Sequence, residues 1–127
     1  MCHVVLLAIG LIVLPACTPA SSASLGSIRG TVTAGPVCPV VTDPPDPACA
    51  DRAVAGAEIV VQGADGLEVA RVRSGTDGRF SLQVQAGTYR VVPQPVTGLL
   101  GTASPQEVAV TPAATTEVAI SYDTGIR

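Results

Sequence analysis

Thr76-Asp77-Gly78-Arg79-Phe80-Ser81-Leu82-Gln83-Val84-Gln85-Ala86-Gly87-Thr88-Tyr89-Arg90-Val91-Val92 is the stretch on which the reading of this chain turns. Asp77-Gly78 is a tight-turn pair, because glycine takes a positive φ without a Cβ penalty. From Arg79 to Gln85 the residues alternate, with Phe80, Leu82 and Val84 on one face and Arg79, Ser81, Gln83 and Gln85 on the other. That period of two describes a half-buried strand. Ala86-Gly87 reads as a second turn, after which Tyr89 and Val91 continue the inner face in another strand. The expectation is a hairpin. Phe80 and Tyr89 then set large rings at the two ends of one inner face, and Tyr89 ties a strand corner through its hydroxyl.

The same alternation extends outward in both directions. Ile28 to Thr33 reads as the first strand, with Ile28, Gly30 and Val32 inward. Ala57 to Gln62 is the second, with Ala57, Ile59 and Val61 inward. Ala64-Asp65-Gly66 is a turn, and Leu67 to Arg73 returns as a strand that can face either way. One face holds Ala70 and Val72; the other holds Leu67, Val69, Arg71 and Arg73. Glu107 to Thr111 and Glu117 to Tyr122 are the last two strands, with Val108, Val110, Val118, Ile120 and Tyr122 inward. Seven short strands with no helical period make an all-β domain over residues 28–123, a seven-stranded antiparallel β-sandwich.

Composition agrees. The 127 residues suffice for one domain, and with aromatics at 2% the core is built from Val, Leu, Ile and Ala. All seven basic residues are Arg, there is no Lys, and the only His is His3. A net charge of −3 with no basic cluster excludes a nucleic-acid partner.

The order and spacing of four motifs carry a resemblance: Gly30-x-Val32, Val54-Ala55-Gly56-Ala57-x-Ile59-x-Val61, Thr76-Asp77-Gly78-Arg79-Phe80 and Ala86-Gly87-Thr88-Tyr89-x-Val91. Together they resemble the carboxypeptidase regulatory-like domain, a transthyretin-like (prealbumin-type) Greek-key sandwich, over nearly all of the chain after residue 27. The resemblance implies an accessory binding or structural module that brings no catalytic residues.

The amino terminus carries a second resemblance. Val4 to Leu14 is apolar apart from Gly10, too short to span a bilayer and of the length of a signal-peptide core. It ends in Leu14-Pro15-Ala16-Cys17, similar to the bacterial lipobox, with Pro15 and the absence of Lys or Arg near the start as departures. The resemblance implies a signal peptide over residues 1–16, lipidation of Cys17 (palmitate among its acyl chains), and a tether over residues 17–27. It implies a lipid-anchored protein on the extracytoplasmic face of a cell membrane or outer membrane. The alternative is an ordinary secretory peptide that leaves Cys17 free or paired. With Cys2 removed and Cys17 lipidated, Cys38 and Cys49 remain, and in an exported protein they form a disulfide across the loop of residues 35–52. Pro36, Pro39, Pro44, Pro45 and Pro47 bar that loop from the middle of a sheet.

Functional chemistry is sparse. Nucleophilic catalysis needs a His or Lys base, and beyond residue 17 there is neither, so no catalytic residue and no cofactor is expected. Asp65 and Glu68, which lie near each other in sequence, read as solvated turn acids. Calcium at Asp43, Asp46 and Asp51 matches no known loop spacing, and two thiols make no metal site. A pilin or adhesin stalk domain of the collagen-adhesin B type shares the fold, but its isopeptide crosslink requires Lys. Glycan binding requires exposed rings, and Phe80, Tyr89 and Tyr122 all fall on inner faces. The expectation is a non-catalytic, lipid-anchored module with a binding or envelope-structural role, its partner an envelope protein or glycan. A secreted adhesin-like or carbohydrate-binding accessory domain is the alternative, and a small hydrolase a more distant one. The loops at residues 35–52 and 92–104 are the places to look for a surface, since long loops on rigid scaffolds often carry function. Leu99 and Leu100 in the second loop serve either that surface or the core.

Overall fold

The structure, a computed structural model, describes residues 24–127. The expected signal peptide, Cys17 as the expected lipidation site, and most of the expected tether lie outside the described residues. Eight strands follow in order: β1 (Leu25–Gly35), β2 (Arg52–Ala53), β3 (Glu58–Gln62), β4 (Glu68–Arg73), β5 (Arg79–Gln85), β6 (Gly87–Pro93), β7 (Gln106–Val110) and β8 (Thr115–Asp123). One sheet centres on β1, which pairs with β8, with β5 along Leu25–Thr31 and with the short β2 at Thr33 and Ala34; the second has the order β4-β3-β6-β7. Apolar residues of both inner faces fill the space between, including Ile28, Val32, Ile59, Val61, Val91 and Ile120, each at most 1% exposed. The expected all-β sandwich is the observed architecture.

The decisive stretch is not a hairpin. β5 pairs with β1 in the first sheet, and β6 pairs with β3 and β7 in the second. Ala86 alone separates the two strands, and a two-stranded ladder needs at least about two loop residues to reverse. The chain instead turns a corner between layers. Tyr89 holds that corner by donating its hydroxyl proton to the carbonyl of Gln85 at 2.6 Å, the tie expected from the sequence. Phe80 is 4% exposed, and Tyr89 packs half-buried against the core.

Nor is the sandwich wholly antiparallel. β8 runs parallel to β1, from Ser27↔Thr115 to Gly35↔Asp123. The short connection after β7 crosses between the sheets, so β8 starts beside the start of β1 and keeps its direction. The eighth strand, β2, pairs Thr33↔Ala53 and Ala34↔Arg52. Two residues show no alternation, so this strand left no pattern to read. β1 also begins earlier than expected: Leu25–Ser27, assigned to the tether, pair with Gln83–Gln85.

The facing of β4 is resolved by packing. Ala70 and Val72 lie against the core, whereas Val69 is 53% exposed. Apolar residues on both faces, Ala70 and Val72 against Leu67 and Val69, are why alternation alone leaves two readings; a bulge opposite Val61 and Gln62 shifts the register only at the Glu68 end. Val60, on the outer face, is nonetheless buried; it is flanked in register by Val92 and by Arg71, whose guanidinium is ion-paired to Glu58 and Glu68. The aliphatic stem of an ion-paired arginine is a suitable cover for a valine.

Two glycines of the motifs have specific work. Gly30 pairs with Phe80 across the ladder, and a Cβ at Gly30 would lie 2.2 Å from the ring. The ring occupies the place of the missing side chain. Gly78 has φ +76°, and a Cβ there would meet the Val32 carbonyl oxygen at 2.5 Å; its own carbonyl accepts from the Val32 amide at 2.7 Å.

Candidate binding end of the sandwich

The strands give the two ends of the sandwich different characters. At the end where β1 begins, the connections are short: Ala86 donates to Ser24, and Ala113 to Leu25, through backbone bonds of 2.8 and 2.9 Å. At the other end, residues 36–51 follow β1, residues 94–105 follow β6, and residues 124–127 follow β8. The two loops singled out in the sequence therefore share one end, a placement that sequence could not supply. β1 spans 11 residues, or about 36 Å at roughly 3.3 Å per residue, between the amino-terminal end and this one.

The end of β8 joins the two loops. The Thr124 amide donates to the Gly35 carbonyl at 3.1 Å, and its hydroxyl donates to the Pro36 carbonyl. The Leu100 amide donates to the Asp123 carbonyl at 2.8 Å. From within the core, Tyr122 donates its hydroxyl proton to the Gln94 carbonyl at 2.5 Å. Burial raises the pKa of this phenol above its ordinary value. Leu99 and Val96 pack half-buried on the core, but Leu100 is 58% exposed. The two leucines thus divide the roles considered for them, one core and one surface.

Asp123 also organises the carboxyl-terminal turn. Its side chain accepts from Arg127 at 2.8 Å and from the Gly125 amide at 2.7 Å. Those bonds, the arginine first, hold its carboxyl down at about 2.

The 36–51 loop is built from its own residues. Cys38 and Cys49 are bonded, with Cα atoms 5.2 Å apart, within the normal span for a disulfide. A single 3-10 turn, Pro47–Cys49, is capped by Asp46, whose carboxylate accepts from the Ala48 amide at 2.9 Å. Thr42 accepts from the Asp46 amide and donates to the Pro44 carbonyl. With Thr42 and Asp46 turned to internal bonds, the loop presents apolar side chains outward: Val40 is 67% and Val41 91% exposed. They line a concave pocket of about 280 Å³ with Pro36, Pro45, Pro47 and the disulfide.

Other candidates resolve into structural roles. Asp65 accepts from the Leu67 amide in its turn, and Glu68 is held by Arg71. Asp77 accepts from the Arg79 amide at 3.0 Å, and the Arg79 side chain is exposed. Among the described residues no three of His, Cys, Asp and Glu are placed to hold a metal ion, so Asp43, Asp46 and Asp51 are not brought together as a calcium site. No helix among them is long and apolar enough to cross a membrane. The residue that sequence reading missed is Ser74, the one buried polar side chain among the described residues, at 5% exposure. It donates to the Val54 carbonyl at 2.6 Å and accepts from the Ala57 amide at 2.9 Å, pinning the segment between β2 and β3. Ser74-Gly75 resembles any other turn dipeptide, so nothing in the sequence marked it.

No protein-family model matches the chain, and no curated protein matches it. Solved structures do share the fold. The minor pilin GBS52 of Streptococcus agalactiae is similar with a TM-score of 0.60 and 12% identity, covering 79% of this chain and 44% of its own. A DUF3823 family protein of Parabacteroides merdae has a TM-score of 0.53 and 16% identity, covering 79% of this chain and 46% of its own. A Pseudomonas aeruginosa protein described as a candidate carbohydrate-binding protein has a TM-score of 0.52 and 11% identity, covering 78% of this chain and 89% of its own. This chain thus spans less than half the length of the first two. At these identities the likeness establishes a β-sandwich fold common to pilin and other bacterial domains.

Proposed function

We propose that this chain is a non-catalytic extracytoplasmic binding module, a carboxypeptidase regulatory-like sandwich held at a membrane by acyl chains on Cys17. Its binding end is the pair of loops at residues 36–51 and 94–105. The observation that carries this reading is their position. The chain enters β1 at one end of the sandwich, and both long loops gather at the other, joined through Asp123 and Thr124. An anchor at residue 17 puts these loops on the side away from the membrane, where a partner meets them first. The fold shared with a pilin and with a candidate carbohydrate-binding protein supports a surface role. The lack of any His or Lys beyond residue 17 supports a role without catalysis.

Of the two partner classes, protein is better supported than glycan. Sugar recognition commonly stacks pyranose rings on exposed aromatics. Here Phe80 and Tyr122 are at most 4% exposed, and Tyr89 is half-buried with its hydroxyl bonded at the sheet corner. Intact mass of the membrane-extracted protein tests the anchor. The expected species begins at Cys17 and carries acyl chains; a species with a free amino terminus upstream of Cys17, or without acyl mass, overturns it. For the binding end, Leu100→Ser together with Val41→Ser should abolish retention of a crosslinked envelope partner. Retention by that variant assigns binding to another surface.

A further inference from the structure

We propose that the pocket inside the Cys38–Cys49 loop docks a cationic protein segment that inserts one aliphatic side chain. This deepens the reading of the loop end as the binding end and rests on it.

Three observations converge. The first is size and character. At about 280 Å³ the pocket falls just below the roughly 300–1,000 Å³ typical of small-molecule sites, and suits a single side chain. Pro36, Val40, Val41, Pro45 and Pro47 give it apolar walls. Val41, at 91% exposure, adds nothing to the fold's own core. An exposed apolar cluster on an otherwise well-packed domain marks an interaction surface.

The second is rigidity. Disulfide, prolines and the capped Pro47–Cys49 turn fix the pocket before any partner arrives. A pre-formed site avoids the ordering cost that would weaken so small a contact.

The third is charge, and it selects the partner. The chain has ten acidic residues and seven arginines. Asp43, Asp46 and Asp51 lie in residues 36–51, which contain no basic residue; removing these three leaves seven acids against seven arginines. The whole net charge of −3 therefore sits in this loop. Five carboxylates elsewhere have arginine partners within 4.0 Å; these three, like Asp65 and Glu107, have none among the described residues, and only here do three fall in one loop. An apolar pocket lined by Asp46 and Asp51, with Asp43 in the same loop, complements an aliphatic residue flanked by Arg or Lys. The same carboxylates repel anionic lipid and nucleic acid.

The test titrates the membrane-extracted, 15N-labelled full chain with three synthetic peptides: Arg-Arg-Leu-Arg-Arg, Arg-Arg-Ser-Arg-Arg and Glu-Glu-Leu-Glu-Glu. Amide shifts report binding. The leucine cation should bind about tenfold more tightly than either of the others, as expected for one aliphatic group entering an apolar pocket. Its shifts should centre on residues 38–51, and binding should weaken as salt rises from about 20 to 300 mM. Two variants follow. Val40→Ser with Val41→Ser removes the leucine preference; both side chains are exposed, so the fold persists. Asp43→Asn, Asp46→Asn and Asp51→Asn together keep shape and the cap, and lower affinity about tenfold with a flattened salt response. Equal binding of the leucine and serine cations overturns the proposal, as does preference for the acidic peptide or the absence of any binding. If shifts centre on Leu100 and survive the valine variant, the pocket is wrong while the loop end stands as the binding end.

Discussion

Replacing Ser74 by alanine tests the internal logic of the fold most directly. The hydroxyl satisfies two backbone groups at once, the Val54 carbonyl and the Ala57 amide, at 2.6 and 2.9 Å. Ala57 is fully buried and Val54 is 6% exposed, so water cannot easily replace the lost partner. Each orphaned buried group costs about 1–3 kcal/mol, and the two share one site, giving an expected loss of about 2–4 kcal/mol. For a domain of this size 1 kcal/mol corresponds to about 4–8 °C in Tm, so the midpoint should fall by at least about 8 °C. Urea denaturation followed by circular dichroism, with the disulfide intact, measures the loss. The m-value should not change, because the surface exposed on unfolding is the same. Hydrogen exchange adds a local readout, in which the Ala57 amide loses protection in the variant. Ser81→Ala, on the exposed face of β5, is the control and should stay within about 0.5 kcal/mol. A Ser74→Ala loss as small as the control's, with Ala57 still protected, would refute the assignment.

Gly30→Ala should cost about 1–3 kcal/mol by overpacking, since its Cβ falls 2.2 Å from the Phe80 ring. Adding Phe80→Leu should recover part of that loss, and a double-mutant cycle from urea melts measures the coupling. Reduction of Cys38–Cys49, separated by 11 residues, should lower stability by about 2–3 kcal/mol or less, the prolines having already stiffened the unfolded loop. Urea midpoints with and without reductant check this. Asp123, held at about 2 against an ordinary 3.8, favours the folded carboxyl-terminal turn above pH 3.8 and loses that effect as pH falls through about 2. Carboxyl 13C shifts should show that titration, and Arg127→Ala should move it upward. Thermal melts with calcium and then with chelator should give one midpoint, since Asp46 already caps the Pro47–Cys49 turn rather than joining a metal site.

Alternation made the inward faces legible. Ile28, Val32, Ile59, Val61, Phe80, Val108, Val118 and Ile120 are all buried where a period of two places them. What alternation does not encode is the neighbour of each strand. Arg79–Gln85 and Gly87–Pro93 show continuous alternation whether they pair with one another or lie in opposite layers, and only the single intervening residue argues for the corner. The parallel partnership of β1 and β8 joins residues 88 positions apart, as in Ser27↔Thr115, beyond the reach of any local pattern. β4 is ambiguous for another reason: both faces carry apolar residues, and only packing shows that Ala70 and Val72 face the core while Leu67 and Val69 are exposed.

The site divides along the same line between local and long-range information. The disulfide followed from cysteine arithmetic and export, and the stiffness of its loop from five prolines; both are local facts. That the second long loop opens at the same end follows from the direction of β6, and the two loops are tied there by Thr124 reaching Gly35 and Leu100 reaching Asp123, contacts set by the layer crossing after β7. The crossing that makes β8 parallel to β1 is therefore also what ties the two loops to one another. Were β8 antiparallel, Asp123 and Thr124 would finish beside Leu25, and the 36–51 loop would lose the hydrogen bonds that tie its first residues to the sheet. The topology least visible in the sequence is the one on which the proposed binding end depends.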